Sequence, residues 1–151
     1  MLSFVISSFI PFSFLYLVIV NAADNKQRDP NMDKLDVTIN AEKNTISVKN
    51  NGLGIPVEYH SEHNCYVPTL IFSHLLTGSN FDDDEEKTTG GRNGYGAKLA
   101  NIFSTEFIVE CMDVKKGKKF HQVFTNNMTT VGKPIIKNCT AAEKKKGDYT
   151  K

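Results

Sequence analysis

The alternation of apolar and polar side chains is clearest in the first half of the chain. Leu35 to Ile39 alternates, and so does Thr45 to Val48, with the polar run Asn40-Ala41-Glu42-Lys43-Asn44 between them. That pattern predicts a β-hairpin. Asn50-Asn51-Gly52-Leu53-Gly54 then ends the second strand with residues that tolerate positive φ. Upstream, residues 18–28 read as the end of a helix stopped at Asp29-Pro30. Downstream, Val67, Leu70, Ile71, His74 and Leu75 recur at helical spacing, which predicts a helix from Tyr66 to Leu76. A polar, acidic stretch from Thr77 to Thr89 leads into Gly90-Gly91-Arg92-Asn93-Gly94-Tyr95-Gly96. Ala97 to Phe103 reads as a helix. Phe107 to Met112 and Phe120 to Phe124 read as strands around the Lys-rich turn Lys115 to Lys119. From there to Lys151 no clear terminating element is legible, and no internal repeat is present. The expected class is α+β: a mixed, mostly antiparallel sheet with helices on one face, incomplete at its end.

Composition adds bounds. A length of 151 residues has room for one modest domain, and 40% hydrophobic with 23% charged residues is ordinary for a globular chain. A net charge of +1 gives no global footprint for nucleic acid. Cys65, Cys111 and Cys139 form no CxxC pair, which argues against a disulfide framework or a structural zinc site.

The N-terminus changes the picture. Met1 to Val20 contains no charged side chain, a run long enough to cross a bilayer as a helix. Val20-Asn21-Ala22 satisfies a signal-peptidase pattern, and Asn127-Met128-Thr129 and Asn138-Cys139-Thr140 are sequons. A secreted or membrane-anchored, non-enzymatic protein is therefore the rival reading. Against it, no Lys or Arg precedes the apolar run and Pro11 interrupts it. The composition breaks near residue 18, so residues 1–17 read as an anomalous segment, either a gene-structure error or signal-like, joined to a domain over residues 18–151.

Three segments carry chemistry. Gly90, Gly91, Gly94 and Gly96 stand ahead of a helical stretch with Lys98 inside it and Arg92 in the loop. Glycines let backbone N–H groups approach an anion, and a helix N-terminus adds free donors. Taken alone, this loop is as readily a flexible connection as a phosphate cradle. Asn21, Asp24 and Asn25 fall at i, i+3 and i+4 on one helix face. Their oxygens suit a hard cation such as Mg²⁺, although taken by themselves they are better explained as a solvated face with a C-terminal Asn cap. Asn50 to Gly54 reads most simply as a strand-ending turn.

The order and spacing of these segments resemble the Bergerat ATP-binding fold of the superfamily that includes gyrase and the histidine kinases. NAADNKQRDP (Asn21 to Pro30), NNGLGIPV (Asn50 to Val57), YVPTLIFSHLLTGSNFDDDE (Tyr66 to Glu85) and TGGRNGYGAKLANIFST (Thr89 to Thr105) are similar to eukaryotic DNA topoisomerase II almost residue for residue. The resemblance covers roughly residues 18–125. It implies ATP and Mg²⁺ as ligands, with Asn21 holding the metal and Asn50 recognising adenine. It further implies that Ser79 and Asn80 touch the nucleotide, and that Gly91, Arg92, Asn93, Gly94, Tyr95, Gly96, Ala97 and Lys98 wrap the triphosphate. Asp82, Asp83, Asp84, Glu85 and Glu86 are expected to form a solvated face.

The departures are as informative. The family places a general-base Glu one helical turn before the metal-binding Asn, and that position here is Leu17. No carboxylate precedes it, so no catalytic residue is assigned. Gly78 stands where the family commonly has Ser, and Leu53 where Lys is usual. The family's transducer, metal-binding and DNA-cleaving domains cannot be mapped onto this sequence. The resemblance therefore implies an ATP-binding portion that hydrolyses poorly and cannot cleave DNA. In the family the enzyme is a nuclear homodimer that meets DNA through those other domains.

Overall fold

The computed structural model describes residues 2–6, 12–73 and 95–151. Strand β1 (Leu2–Ile6) is followed by helix α1 (Phe12–Arg28), β2 (Leu35–Asn40) and β3 (Thr45–Asn51). The short strands β4 (Tyr59–His60) and β5 (Cys65–Tyr66) precede α2 (Val67–Ser73) and α3 (Tyr95–Ile102). The long pair β6 (Ser104–Asp113) and β7 (Lys118–Thr125) comes next, then β8 (Thr130–Val131), β9 (Ile135–Asn138), α4 (Ala141–Lys144) and β10 (Tyr149–Thr150).

All pairings of the main sheet are antiparallel. Its order is β2, β3, a place shared by β1 and β10, then β6, β7, and an edge shared by β8 and β9. The predicted β2–β3 hairpin is present, closed at Asn40 opposite Thr45. Asn40 Oδ1 accepts the Lys43 amide at 2.9 Å, and Asn44 takes φ 49, a left-handed conformation that Asn tolerates better than other side chains.

Helix α1 lays Leu15 and Val18 into the core, with Ile19 and Ala22 partly buried, at the spacing that builds one apolar face. Tyr16 points outward. The helix stops because Pro30 has no amide hydrogen to continue the ladder. Lys26 Nζ then reaches over the end to the carbonyls of Pro30 and Met32, both at 2.6 Å. Helices α1 and α3 pack on each other, and each also packs on the sheet, α1 through β3 and α3 through β6. Between them and the strands lies a core of Val18, Ile46, Val48, Val57, Phe72, Ala100, Phe107, Val109, Phe120 and Phe124. The observed class is α+β, as the sequence predicts.

Several boundaries differ from the expectation. Helix α2 begins at Val67 and is described to Ser73, the remainder of the predicted stretch lying outside the described residues. Helix α3 starts at Tyr95, two residues earlier than expected, and ends at Ile102. The C-terminal part, which showed no clear pattern, folds into β8, β9, α4 and β10. Strands of two to four residues are too short to display a period of two. Helix α4 starts with a capping box in which Thr140 accepts the Glu143 amide and Glu143 accepts the Thr140 amide. Residues 2–6 form a strand inside the sheet, and α1 runs unbroken through the composition change near residue 18. Among the described residues no helix is long and apolar enough to cross a membrane. All three cysteines are free thiols.

Candidate functional site

Strand β3 sets the frame. Its side chains alternate between partly and fully buried, so Ile46, Val48 and Asn50 share the core-facing row. Asn50 is only 7% exposed, a polar side chain in an otherwise apolar row. Its Nδ2 donates to the Asn51 carbonyl at 3.0 Å. A buried amide in such a row needs a polar counterpart, which makes it informative in a way an exposed Asn would not be.

The residues beside it are structural. Asn51 Oδ1 accepts the amides of Asp33 (3.2 Å) and Lys34 (2.8 Å), and its Nδ2 donates to Asp33 Oδ1 at 2.7 Å. Gly52 has φ +86, and a Cβ there would lie 2.7 Å from Met32 Cβ and 2.9 Å from Asp29 Oδ2. Leu53 N donates to Asp29 Oδ2 at 2.6 Å, while Asn25 Nδ2 donates to the Leu53 carbonyl at 3.2 Å. Backbone hydrogen bonds from Asn31 and then Leu53 hold the Asp29 carboxyl below its usual range. The turn after β3 is thus tied to the C-terminal end of α1 by two side chains, Asn25 and Asp29. Leu53 itself points to solvent.

On α1, Asp24 is buried and Asn21 partly so, one helical turn apart as the spacing requires. Leu17 lies one turn before Asn21 on the same helix, and the first carboxylate along the chain is Asp24. On α3, Gly96 is buried and Lys98 is 1% exposed. Burial pushes the Lys98 ammonium pKa down, because removal from water disfavours the charged form. An anion brought to such an amine gains more than it would at the surface. Ser79, Asn80, Gly91, Arg92, Asn93 and Gly94 lie outside the described residues, as do Gly78 and the acidic run Asp82 to Glu86.

Sequence reading passed over Asn101. It is fully buried, its Nδ2 donates to the Phe72 carbonyl at 3.1 Å, and its Oδ1 finds no partner among the described residues. That bond ties α3 to α2. A cleft of about 350 Å³ opens at the far end of α1, between Arg28, Asp29, Gly52 and Lys146 to Asp148. None of the residues assigned to the nucleotide lines it.

A family model described as histidine kinase-, DNA gyrase B-, and HSP90-like ATPase matches residues 12–128. DNA topoisomerase 2 of Pisum sativum is 65% identical over 126 residues, which is 83% of this chain and 9% of that protein. The crystal structure of the ATPase and transducer domains of DNA topoisomerase II from Balamuthia mandrillaris superposes with a TM-score of 0.88 at 52% identity, covering 92% of this chain and 35% of that one. The ATPase region of Saccharomyces cerevisiae topoisomerase II gives 0.85 at 54% identity, with coverage of 92% and 36%. The chain therefore spans about 9% of the length of the curated relatives it matches.

Proposed function

The chain belongs to the histidine kinase-, DNA gyrase B- and HSP90-like ATPases, with its similarity centred on the ATPase region of DNA topoisomerase II, and from that premise we propose that it binds Mg²⁺-ATP and turns it over slowly. The observation that carries the proposal is the placement of polar side chains: Asn50 on the buried row of β3, and Asn21 and Lys98 on two helices packed against each other. Asn50 is assigned to the adenine. Asn21 supplies an oxygen to Mg²⁺, and its neighbour Asp24 adds carboxylate character to the same helix face. Oxygen donors in small number fit Mg²⁺, which keeps water and phosphate as its remaining ligands. Bound with the triphosphate, that ion would neutralise phosphate charge.

Lys98 and the segment from Gly91 to Ala97 that precedes it in sequence are assigned to the phosphates, with Ser79 and Asn80 as further nucleotide contacts. The buried, desolvated amine of Lys98 favours this reading. Position 17 offers no group that can take a proton from an attacking water. Loss of a general base lowers a rate by ~10²–10⁴-fold, so binding without efficient hydrolysis is expected. In relatives of full length, hydrolysis would be coupled to DNA strand passage in a homodimer in the nucleus; for this chain those couplings depend on other domains.

The test has two arms. A non-hydrolysable ATP analogue with Mg²⁺ at about 100-fold its Kd should stabilise the chain by about 2.7 kcal/mol. No thermal shift at saturating analogue would reject the nucleotide site. Leu17→Glu should then raise ATPase activity by ~10²-fold or more. Unchanged turnover in a variant that still binds the analogue would reject the role given to position 17.

A further inference from the structure

We propose that the β4–β5 hairpin is a second metal site, taking a borderline divalent ion such as Zn²⁺ or Ni²⁺ through His60, Glu62 and His63. The site is separate from the nucleotide residues: β4 and β5 form their own two-stranded sheet off the main one. Tyr59 pairs with Tyr66 and His60 with Cys65, which leaves residues 61–64 as the turn. Asn64 takes φ 50, a left-handed conformation that folds the turn back on itself. His63 consequently comes over His60, with ring centroids 4.9 Å apart and planes tilted by 46°. One ligand atom each from His60, Glu62 and His63 all lie within 4.8 Å of one another.

The base of the hairpin is held firmly. The Tyr59 and Tyr66 rings meet edge to face at 5.5 Å, and Tyr66 packs on Phe120 of the core at 6.2 Å. Val67 N donates to the Glu58 carbonyl at 2.9 Å, and Glu58 pairs with Lys116 at 3.2 Å. So fixed a base holds the backbone of the turn in place, which favours ligation by the side chains it carries.

The chemistry of the donors selects the ion. Two imidazoles and one carboxylate suit Zn²⁺, Ni²⁺ or Cu²⁺, whereas Mg²⁺ and Ca²⁺ prefer oxygen alone. Zinc ligand atoms sit about 2.0–2.2 Å from the metal, hence roughly 3.4 Å from each other in a tetrahedron. The exposed Glu62 and His63 side chains can close that difference by rotation, since His60 is the more buried of the three. His60 Nδ1 supplies a second, independent sign. It is buried and has no hydrogen-bond partner among the described residues, a condition that costs stability and that an ion ligated at Nδ1 would relieve. Three protein ligands leave at least one coordination position for water, which is the arrangement of an exchangeable site and not of a closed structural one.

Titration calorimetry of the full chain with ZnCl₂ and with NiCl₂, without nucleotide, tests the proposal. One ion should bind per chain, and His63→Ala should weaken it by at least about 10-fold while leaving the metal-free melting temperature unchanged. Glu62→Gln should weaken it less than His63→Ala, and Cys65→Ser should leave it as it is. In the NMR spectrum the imidazole resonances of His60 and His63 should shift on Zn²⁺ addition and those of His121 should stay. Equal affinity in wild type and His63→Ala, or binding that shifts His121 instead, would overturn the assignment. So would an absence of binding at millimolar ion.

Discussion

Thr150 lies opposite Asn50 in the antiparallel β10–β3 ladder. Two positions further along β3, Val48 is opposite Leu2 of β1. On the other side Thr150 faces Cys111 and Ser3 faces Ile108, in the same register. Lys151 fills the step between, exchanging both backbone hydrogen bonds with Glu110. The two ends of the sequence thus occupy one strand position at the centre of the sheet, with β1 continuing the line of β10.

Removal of residues 1–11 should therefore open the facing edges of β3 and β6. Amide exchange should accelerate at Ile46, Val48 and Ile108, whose N–H groups face β1, and stay slow at Phe107, Val109, Phe120 and Phe124, which bond within the β6–β7 ladder. The uncovered edges should also promote association at high concentration. Unchanged exchange at Ile46 and Val48 would show that β1 adds nothing to the sheet.

Gly52 and Gly147 both have positive φ, +86 and +81, but different surroundings. Gly52→Ala should destabilise by about 2–3 kcal/mol, because strain and the contact with Met32 Cβ act together. Gly147→Ala meets open space and should cost about 1 kcal/mol, the backbone strain alone. Denaturant unfolding of the two variants checks the ranking, and the reverse order would refute the steric argument.

Thr69 Oγ1 donates to Gln122 Oε1 at 2.8 Å inside the core, and Gln122 Nε2 donates to the Gly132 carbonyl at 2.8 Å. Thr69→Val keeps the shape but leaves a buried acceptor unpaired, an expected loss of about 1–3 kcal/mol. Thr69→Ser keeps the donor and should cost clearly less. If the two variants melted alike, the hydrogen bond would not be the source of the loss.

Glu143 accepts hydrogen bonds from Lys119 Nζ, from the Thr140 amide and from the Thr140 hydroxyl. The Lys119 contact first, then the Thr140 bonds, hold its pKa down from the ordinary 4.5 to about 2. A carboxyl depressed on folding stabilises the fold fully above its unfolded pKa. The contribution fades as pH falls from about 4.5 towards about 2. Asp29 is depressed as well and adds to the same acid-side loss. Glu143→Gln should flatten the pH dependence of stability in that window and leave the slope above pH 6 unchanged. A variant as acid-sensitive as wild type would rule out the Glu143 linkage.

Some of the site was legible before any coordinates. A strand's period of two, run on from Thr45 to Val48, would put Asn50 on the row of Ile46 and Val48, but the sequence reads Asn50 as a strand-ending turn and only the structure carries β3 on to Asn51. Asn21 and Asp24 could be put on one helix face for the same kind of reason, and Asp29-Pro30 marked the end of that helix. The roles of Asn51 and Gly52 were not legible. They depend on where Met32, Asp33 and Asp29 return in space. Asn101 gave no signal, because its importance lies in a carbonyl on another helix.

Local periodicity and turn chemistry thus determined the α+β class, the central hairpin, the helix faces and the chemical identity of the candidate ligands. Only the tertiary structure decided which side chains become buried and which meet across the chain. It placed Leu2 in line with Thr150, desolvated Lys98 and folded His63 over His60. The first set follows from neighbours within a few residues, where backbone geometry fixes the spacing. The second follows from contacts between segments far apart in sequence, which no period along the chain encodes.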